Sequence, residues 1–438
     1  MNLSNIVIVG GGAGGLELAC KLGRKFGPEL GPKCVTLVDA KTYHIWKPSL
    51  HEVAAGTLDI HQEGLSYSML AYNNSFNFVL GSLDGLQTDT RHITLSPVLD
   101  DAGDEVLPKR TLHYDRLVIA IGSQSNYFGV NGAAEHTISL DGPQQAESFR
   151  LKMLKQLAML DLRKQEDPSA SLNIVIIGAG ATGVELAAEL REASHVHSRF
   201  GFRHIDAARD VNITLLEGAT KILPVLPENV SDAAKALLEA RHVNIVNQCK
   251  VVDISPKQVL DAAGNQYKAD LCVWAAGIKA PALLATLGLP VNRNNQLEVE
   301  ANLQVKGHAA IFSLGDCAAC PQPDGSWVPP RAQSAHQQAD YLVARFVAES
   351  KGRPPSGKPY LYKDHGSLVS LGTRSSVGSL MGNLFKASNV FVEGFFARSM
   401  YVSLHLMHHH AVLGPVKTFL LAMARFLTKR ATPLVKLH

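Results

Sequence analysis

Cysteine is scarce and scattered in this chain: six residues, at positions 20, 34, 249, 272, 317 and 320, among 438. That spacing excludes the dense disulfide framework of a small secreted domain. Long apolar runs are missing too, since no stretch approaches the roughly 18 residues that crossing a bilayer requires. Nothing in the chain is therefore expected to span a membrane. The first residues run straight into a strand pattern, which leaves no signal peptide ahead of the fold and predicts a chain that starts and stays in the cytoplasm. Charged residues make up 18% and hydrophobic ones 46%, so disorder is excluded and two or three domains with ample core are expected. Acid is absent from the last part of the chain: residues 395–438 hold six Lys and Arg and no Asp or Glu. The rest then carries 36 basic against 39 acidic residues, a net of −3, so the overall charge of +3 comes from that tail.

Glycine, by contrast, is abundant and patterned. Ile6-Val7-Ile8-Val9 leads into Gly10-Gly11-Gly12-Ala13-Gly14-Gly15, and Ile174-Val175-Ile176-Ile177 leads into Gly178-Ala179-Gly180-Ala181-Thr182-Gly183. Both fit G-x-G-x-x-G between a strand and an amphipathic helix. The first glycine permits the turn, the second lets a pyrophosphate approach the backbone, and the third lets helix and strand pack closely. Phosphates then sit on the positive end of the helix. One such turn is a weak signal; two in the right context predict two dinucleotides side by side, as a flavin exchanging a hydride with a nicotinamide needs.

An acid closes each unit. Cys34 to Asp39 reads as a buried strand ending in a carboxylate that can accept from a ribose, followed by Ala40; Val211 to Glu217 reads the same way. The second interval is longer by the stretch Ser194 to Asp206, an extended helix or a surface excursion. Glu217 would repel a 2′-phosphate and no arginine adjoins it, which favours NADH, although Lys221 lies close by. Cys20, Cys34 and Cys272 sit in apolar patterns and read as core. Cys317 and Cys320 form the one C-x-x-C, with no second pair to complete a metal site, and no metal is expected.

The units interleave. Residues 1–142 and 291–356 read as the two parts of one dinucleotide domain, 143–290 as a second inserted between them, and 357–438 as a C-terminal region. A charged helix over 143–166 serves as connector. Strands ending at Gly122, at Gly277 and at Gly315-Asp316 close the units with small residues. The expected fold class is α/β, with two Rossmann-like domains and a C-terminal membrane-associating region.

The ordered set Gly10 to Gly15, Ala120 to Gly122, Gly178 to Gly183, Ala275 to Gly277 and Gly315-Asp316 resembles the two-dinucleotide flavoprotein disulfide reductases. Three further stretches are similar to the type II NADH dehydrogenases, the single-subunit respiratory NADH:quinone oxidoreductases: His44 to Ala54, Ala332 to Gln338, and the basic tail. The resemblance covers nearly the whole chain. It implies FAD on Gly10, Gly11, Gly12, Ala13, Gly14, Gly15, Asp39, Ala40, Gly122 and Asp316, with Lys47 and Pro48 over the ring and Ala332 and Gln333 at its edge. It implies NADH on Gly178, Gly180, Thr182, Gly183, Glu185, Glu217 and Gly277. Glu185, Gln333, Gln337 and Lys47 become the catalytic candidates, the two glutamines one helical turn apart facing a membrane quinone. Plain alternatives remain: a solvated Lys47, a Glu185 that only complements its helix dipole, and two glutamines on a wet helix face. His336 points elsewhere on that helix.

Rival readings exist. A soluble flavin-dependent NAD(P)H reductase would pass electrons to a disulfide or a ferredoxin, and its disulfide version should carry a redox C-x-x-x-x-C after the first turn, which is missing; a sulfide:quinone oxidoreductase should lack a sound second site; a redox-sensing flavoprotein would not turn over. Beyond Pro415, Val416, Phe419, Leu420, Met423, Phe426 and Leu427 share one helical face with Lys417, Arg425 and Lys429 opposite, while Leu421 is the exception. This is the pattern of a helix lying in the interface of an anionic membrane, here at the cytoplasmic face of the cell membrane as a peripheral, non-pumping protein. Phe395 to Val412 has a blurrier face. His405, His408, His409 and His410 are not expected to bind metal, because adjacent helical histidines diverge. Nucleic acid is not expected as a partner, and a homodimer is left open.

Overall fold

In the computed structural model, the described residues are 4–372, 375–380 and 390–428. Strand β1 (Ile6–Val9) is buried along its whole length, as a β-branched run covered on both faces of a parallel sheet should be. Helix α1 (Ala13–Cys34) follows from the first glycine turn and bends at Gly27, where φ is 80°. Its Leu16, Leu18 and Leu22 are fully buried, and each contributes roughly 1.5–3 kcal/mol relative to exposure. Then come β2 (Val35–Asp39), α2 (Leu50–Ala55), α3 (Ile60–Glu63), α4 (Tyr67–Asn74), β3 (Asn77–Leu80) and β4 (Arg116–Ile119).

The second unit holds β5 (Ile138–Ser139), α5 (Pro143–Glu166), β6 (Leu172–Ile177), α6 (Ala181–Phe200), β7 (Val211–Leu216), β8 (Val243–Val246) and β9 (Leu271–Trp274). The long interval before Glu217 holds the end of α6, a turn over 201–206 and a short helix, Ala207–Asp210. It is tied down by the buried Arg191, whose guanidinium donates to the carbonyls of Ala207 and His242. β10 (Ile311–Ser313) then returns to the first sheet, which has the order β10-β4-β1-β2-β3, all parallel. The second sheet has the order β5-β9-β6-β7-β8, also parallel. In both, the central strand feeds the glycine turn and its neighbour ends in the acid.

After α7 (Ala332–Ser350), strands β11 (Gly366–Ser370), β12 (Ser376–Leu380) and β13 (Val390–Glu393) make an antiparallel sheet, and α8 (Gly394–Leu413) and α9 (Pro415–Thr428) end the described chain. The blurred face of α8 has a physical reason: the helix packs on the first unit. His408, His409, Ala411 and Val412 are buried, and Arg24 of α1 donates to the Ala411 and Val412 carbonyls that the helix end leaves unmet. Gly414, at φ 80°, breaks the helix before α9. α9 is turned the other way. Thr418 faces inward, while Val416, Phe419, Leu420, Met423 and Leu427 are 45–70% exposed. The side chains of Arg425 and Phe426, and Lys429, Arg430 and Lys436 altogether, lie outside the described residues. Among those described, no helix is long and apolar enough to cross a membrane.

Candidate functional site

The two glycine turns superimpose in logic residue by residue. Gly10 and Gly178 have φ of 106° and 100°, and each donates its N–H to the last residues of the next strand, at Val38 and Leu216. A Cβ on Gly15 would stand 2.0 Å from the Gly10 carbonyl, and one on Gly183 1.9 Å from that of Gly178. First and third glycines are thus required by the protein itself. The middle ones are not: a Cβ on Gly12 or Gly180 meets nothing within 4 Å. That open space, at the N-terminus of a helix and beside a carboxylate, fits a dinucleotide diphosphate in each unit. Ala13 and Thr182 lie on the same two rims. Gly14 serves another purpose, letting α1 approach Leu314 and Ala335.

The acids hold the turns. Asp39 Oδ2 accepts from the Gly11 N–H at 2.6 Å and its Oδ1 from Lys41 N–H; Glu217 Oε2 accepts from Ala179 N–H at 2.7 Å and its Oε1 from Ala219 N–H. Each carboxylate oxygen keeps a further lone pair for a ribose hydroxyl. Burial holds the Asp39 carboxyl above the ordinary aspartate range, against the pull of those N–H groups. Ala40 beside it is exposed. Lys221 donates to the Leu226 carbonyl, which takes its ammonium to the backbone of its own loop.

At the far end of the first crevice three expected residues meet. Lys47 Nζ donates to the Ser123 carbonyl at 2.8 Å, next to Gly122, and Ser123 Oγ donates to Asp316 Oδ2 at 2.7 Å. Gln338 was missed in the sequence; it is buried and accepts the Gly315 N–H at 2.7 Å, while Gln296 holds the Asp316 carbonyl. Gly277 backs against Phe128, leaving no room for a Cβ. Gln333 and Gln337 face the segment after α7. Gln333 Oε1 accepts from Tyr362 and the His365 N–H, and Gln337 exchanges two bonds with the backbone of Lys363. Ala332 begins their helix, capped by Arg331.

Glu185 is buried, with Oε1 on the Ser370 N–H of β11 at 2.9 Å and Oε2 3.4 Å from His51 Nδ1. Glu17 occupies the corresponding place in the first unit, two residues past the third glycine. The repeat Gly-x-Glu-Leu was a signal in the sequence that could have found it. Glu17 is also buried, and gathers His408 Nδ1 at 2.9 Å, His336 Nδ1, and Lys21. His336 therefore does not point idly outward. His408 Nε2 lies 2.9 Å from His44 Nε2, and His44 Nδ1 2.9 Å from the Gly11 carbonyl, which Tyr67 also meets at 2.7 Å.

The directions of these bonds are constrained. A carbonyl only accepts, so His44 carries its proton on Nδ1. Burial first, and the neighbouring His408 second, hold His44 well below the ordinary histidine range, leaving Nε2 as an acceptor. His408 must then donate from Nε2 to His44, while its Nδ1 meets the Glu17 carboxylate. Burial alone would raise that carboxyl, but the bonds from His336 and His408 overcome it and hold it well below the carboxylate range. A buried chain of hydrogen bonds thus joins α8 to the first glycine turn.

All six cysteines are free and buried, and burial pushes the Cys320 thiol up to about 12 and raises Cys317 as well. Such thiols are poor nucleophiles and poor metal ligands.

The family described as pyridine nucleotide-disulphide oxidoreductase matches residues 4–339. A curated relative, the type II NADH:quinone oxidoreductase of Haemophilus influenzae, is 40% identical over 449 residues, covering 100% of each chain. Among solved structures, NDH2 from Plasmodium falciparum in complex with NADH shares the fold with a TM-score of 0.82 at 20% identity, covering 99% of this chain and 100% of that one. The sulfide:quinone oxidoreductase from Aquifex aeolicus gives 0.71 at 19% identity, over 94% and 92%.

Proposed function

The chain belongs to the type II NADH:quinone oxidoreductases, and on that premise we propose how its own residues divide the work. The reaction is oxidation of NADH with two-electron reduction of a quinone. FAD held in the first unit would supply the two-electron chemistry that links NADH to the quinone. The observation that carries the assignment of sites is the duplicated open cradle at Gly12 and Gly180.

In this reading Gly10 to Gly15 and Asp39 hold the diphosphate and adenosine ribose of FAD, and Asp316, oriented by Gln338 and Gln296, holds the ribityl chain. Lys47 sets a positive charge at the Gly122 end of the crevice, where negative charge arrives with the hydride. Gly178 to Gly183 and Glu217 hold NADH, Gly277 gives its ring a flat approach, and Glu185 positions the interface between the two units. Gln333 and Gln337 order the 362–365 segment around the quinone headgroup. Cofactor orientation, rather than one dominant acid or base, carries the chemistry.

The outward apolar face of α9 supports a peripheral position on an anionic membrane at the cytoplasmic face. Helix α4 extends that face: Tyr72 and Met69 are exposed, and their neighbours Asn73 and Asn74 line one cavity with Pro415 and Lys417.

The test is purified protein loaded with FAD and given NADH or NADPH with a soluble quinone. Rapid bleaching of the flavin by NADH and its reoxidation by quinone are expected; an NADH that leaves the flavin oxidised sinks the reading. Removing residues 415–438 should keep soluble-quinone turnover and abolish binding to anionic vesicles. Retained vesicle binding would sink the assignment of α9.

A further inference from the structure

His405 and His409 lie four residues apart on α8, so their imidazoles overlie one helical turn, with ring centroids 4.4 Å apart. Glu63, the last residue of α3, meets them from the first unit. One ligand atom from each of Glu63, His405 and His409 lies within 4.8 Å of the others. His409 is buried and the other two half-buried, so the cluster is a lined recess between two elements rather than a wet surface patch. His409 Nδ1 stands 3.0 Å from the His405 carbonyl. Because that carbonyl only accepts, Nδ1 holds the proton and Nε2 keeps its lone pair. A backbone carbonyl that fixes the tautomer of a histidine in this way is the outer shell that ligating imidazoles commonly carry. Trp46 stands edge-on to the His405 ring at 6.4 Å and limits its swing.

We propose that Glu63, His405 and His409 form a three-ligand site for Zn2+, with a fourth position left to water. Two imidazoles and one carboxylate are a donor set that zinc takes in tetrahedral geometry. Ligand atoms on one such ion stand about 3.3 Å apart, so side-chain rotations of roughly 1 Å close the set. The argument from adjacent, diverging histidines does not reach this site: it uses the 405 and 409 pair and takes its third ligand from a distant segment. A metal here clamps α8 to α3, one residue from the His408 that binds Glu17 and His44. The site lies outside the residues assigned to FAD, NADH and quinone, so it stands or falls independently of those assignments.

The test uses the full-length, FAD-loaded protein, stripped of metal by a chelator and titrated with Zn2+. One tightly held zinc per chain is expected, with affinity falling about tenfold or more in Glu63→Gln and in His405→Gln. Co2+ in place of Zn2+ should give the visible band of a tetrahedral site in the wild type and none in those variants. His92 and His113, which pair across two antiparallel strands with their rings edge-on at 5.2 Å, provide the comparator for adventitious binding. Their double alanine variant should bind zinc as the wild type does. Unchanged zinc binding in Glu63→Gln, or loss of binding in the His92 and His113 variant, overturns the proposal. Should His405→Gln lose its flavin, Glu63→Gln alone decides, since Glu63 ends a four-residue surface helix.

Discussion

In the first unit the peptide after the opening glycine is gripped by side chains: Asp39 takes the Gly11 N–H, and His44 and Tyr67 donate to the Gly11 carbonyl. In the second, Glu217 takes the Ala179 N–H in the same way, but the Ala179 carbonyl accepts from the backbone N–H of Leu223. The buried glutamates differ likewise. Glu17 joins its turn to α8 through His408 and His44, whereas Glu185 accepts the Ser370 N–H of β11 and lies beside His51 of α2. The same nucleotide fold thus holds its turn peptide with side chains in the first unit and with the backbone in the second. The bonds of Glu17, His408 and His44 tie the first glycine turn to the helix that precedes α9.

Substituting the middle glycines separates the units most sharply. Gly12→Val should give a folded chain without flavin and hence without activity, because the new side chain fills the cradle and meets no protein. Gly180→Val should keep its flavin and lose about 10²-fold in kcat/KM for NADH, the scale of a misplaced reactant. Flavin absorbance per chain and NADH-driven bleaching read both; a Gly180→Val protein that sheds flavin breaks the comparison.

Next in size is Glu17→Gln, which removes the buried carboxylate that gathers His408, His336 and Lys21 and should cost about 3–5 kcal/mol of stability. Glu185→Gln keeps an acceptor for Ser370 and should cost about 1–3 kcal/mol. Denaturant unfolding of the holoenzymes ranks them, and equal losses would mean that the two glutamates are wired alike after all.

Glu217→Gln removes the charge that repels a 2′-phosphate. The preference for NADH over NADPH should narrow about tenfold, or about 1.4 kcal/mol, in steady-state kinetics. An unaltered ratio would place selectivity elsewhere.

Acid should weaken both units, for different reasons. His197 of α6 is held at about 4 by burial, against an ordinary 6.5, and His44 is lowered in the same direction. Below pH 6.5 the unfolded chain takes protons that the folded one refuses, so stability falls as pH drops from 6.5 toward 4. Glu17, held below the carboxylate range, adds a second loss below its ordinary value of 4.5. Thermal unfolding across that range should show a monotonic decline, and His197→Phe should flatten its upper part. A flat profile in the wild type contradicts it.

Much of this was legible in the residues. The strand, glycine turn, helix and acid of each unit follow one another within a short span, so local pattern sufficed to place Asp39, Glu217 and the two cradles. The outward face of α9 was legible for the same reason, since helical period alone defines it. Other parts were not. Gln333 and Gln337 were read as facing a ligand, yet their amides bond the 362–365 segment, a partner that helical spacing cannot name. His336 and His408 gave no signal because their partner, Glu17, lies more than three hundred residues away, on a helix read only for its glycines.

The sequence by itself determined the two dinucleotide units, their order and the basic, acid-free tail, because each rests on contacts within one strand-turn-helix or one helical face. Only the tertiary structure decided how the two halves of the tail part at Gly414, with α8 docked on the first unit and α9 turned outward. It alone made Glu17, His408 and His44 one chain of hydrogen bonds ending on Gly11. The reason is that burial and long-range pairing depend on which surfaces meet, and a buried polar group is tolerable only where its distant partners converge.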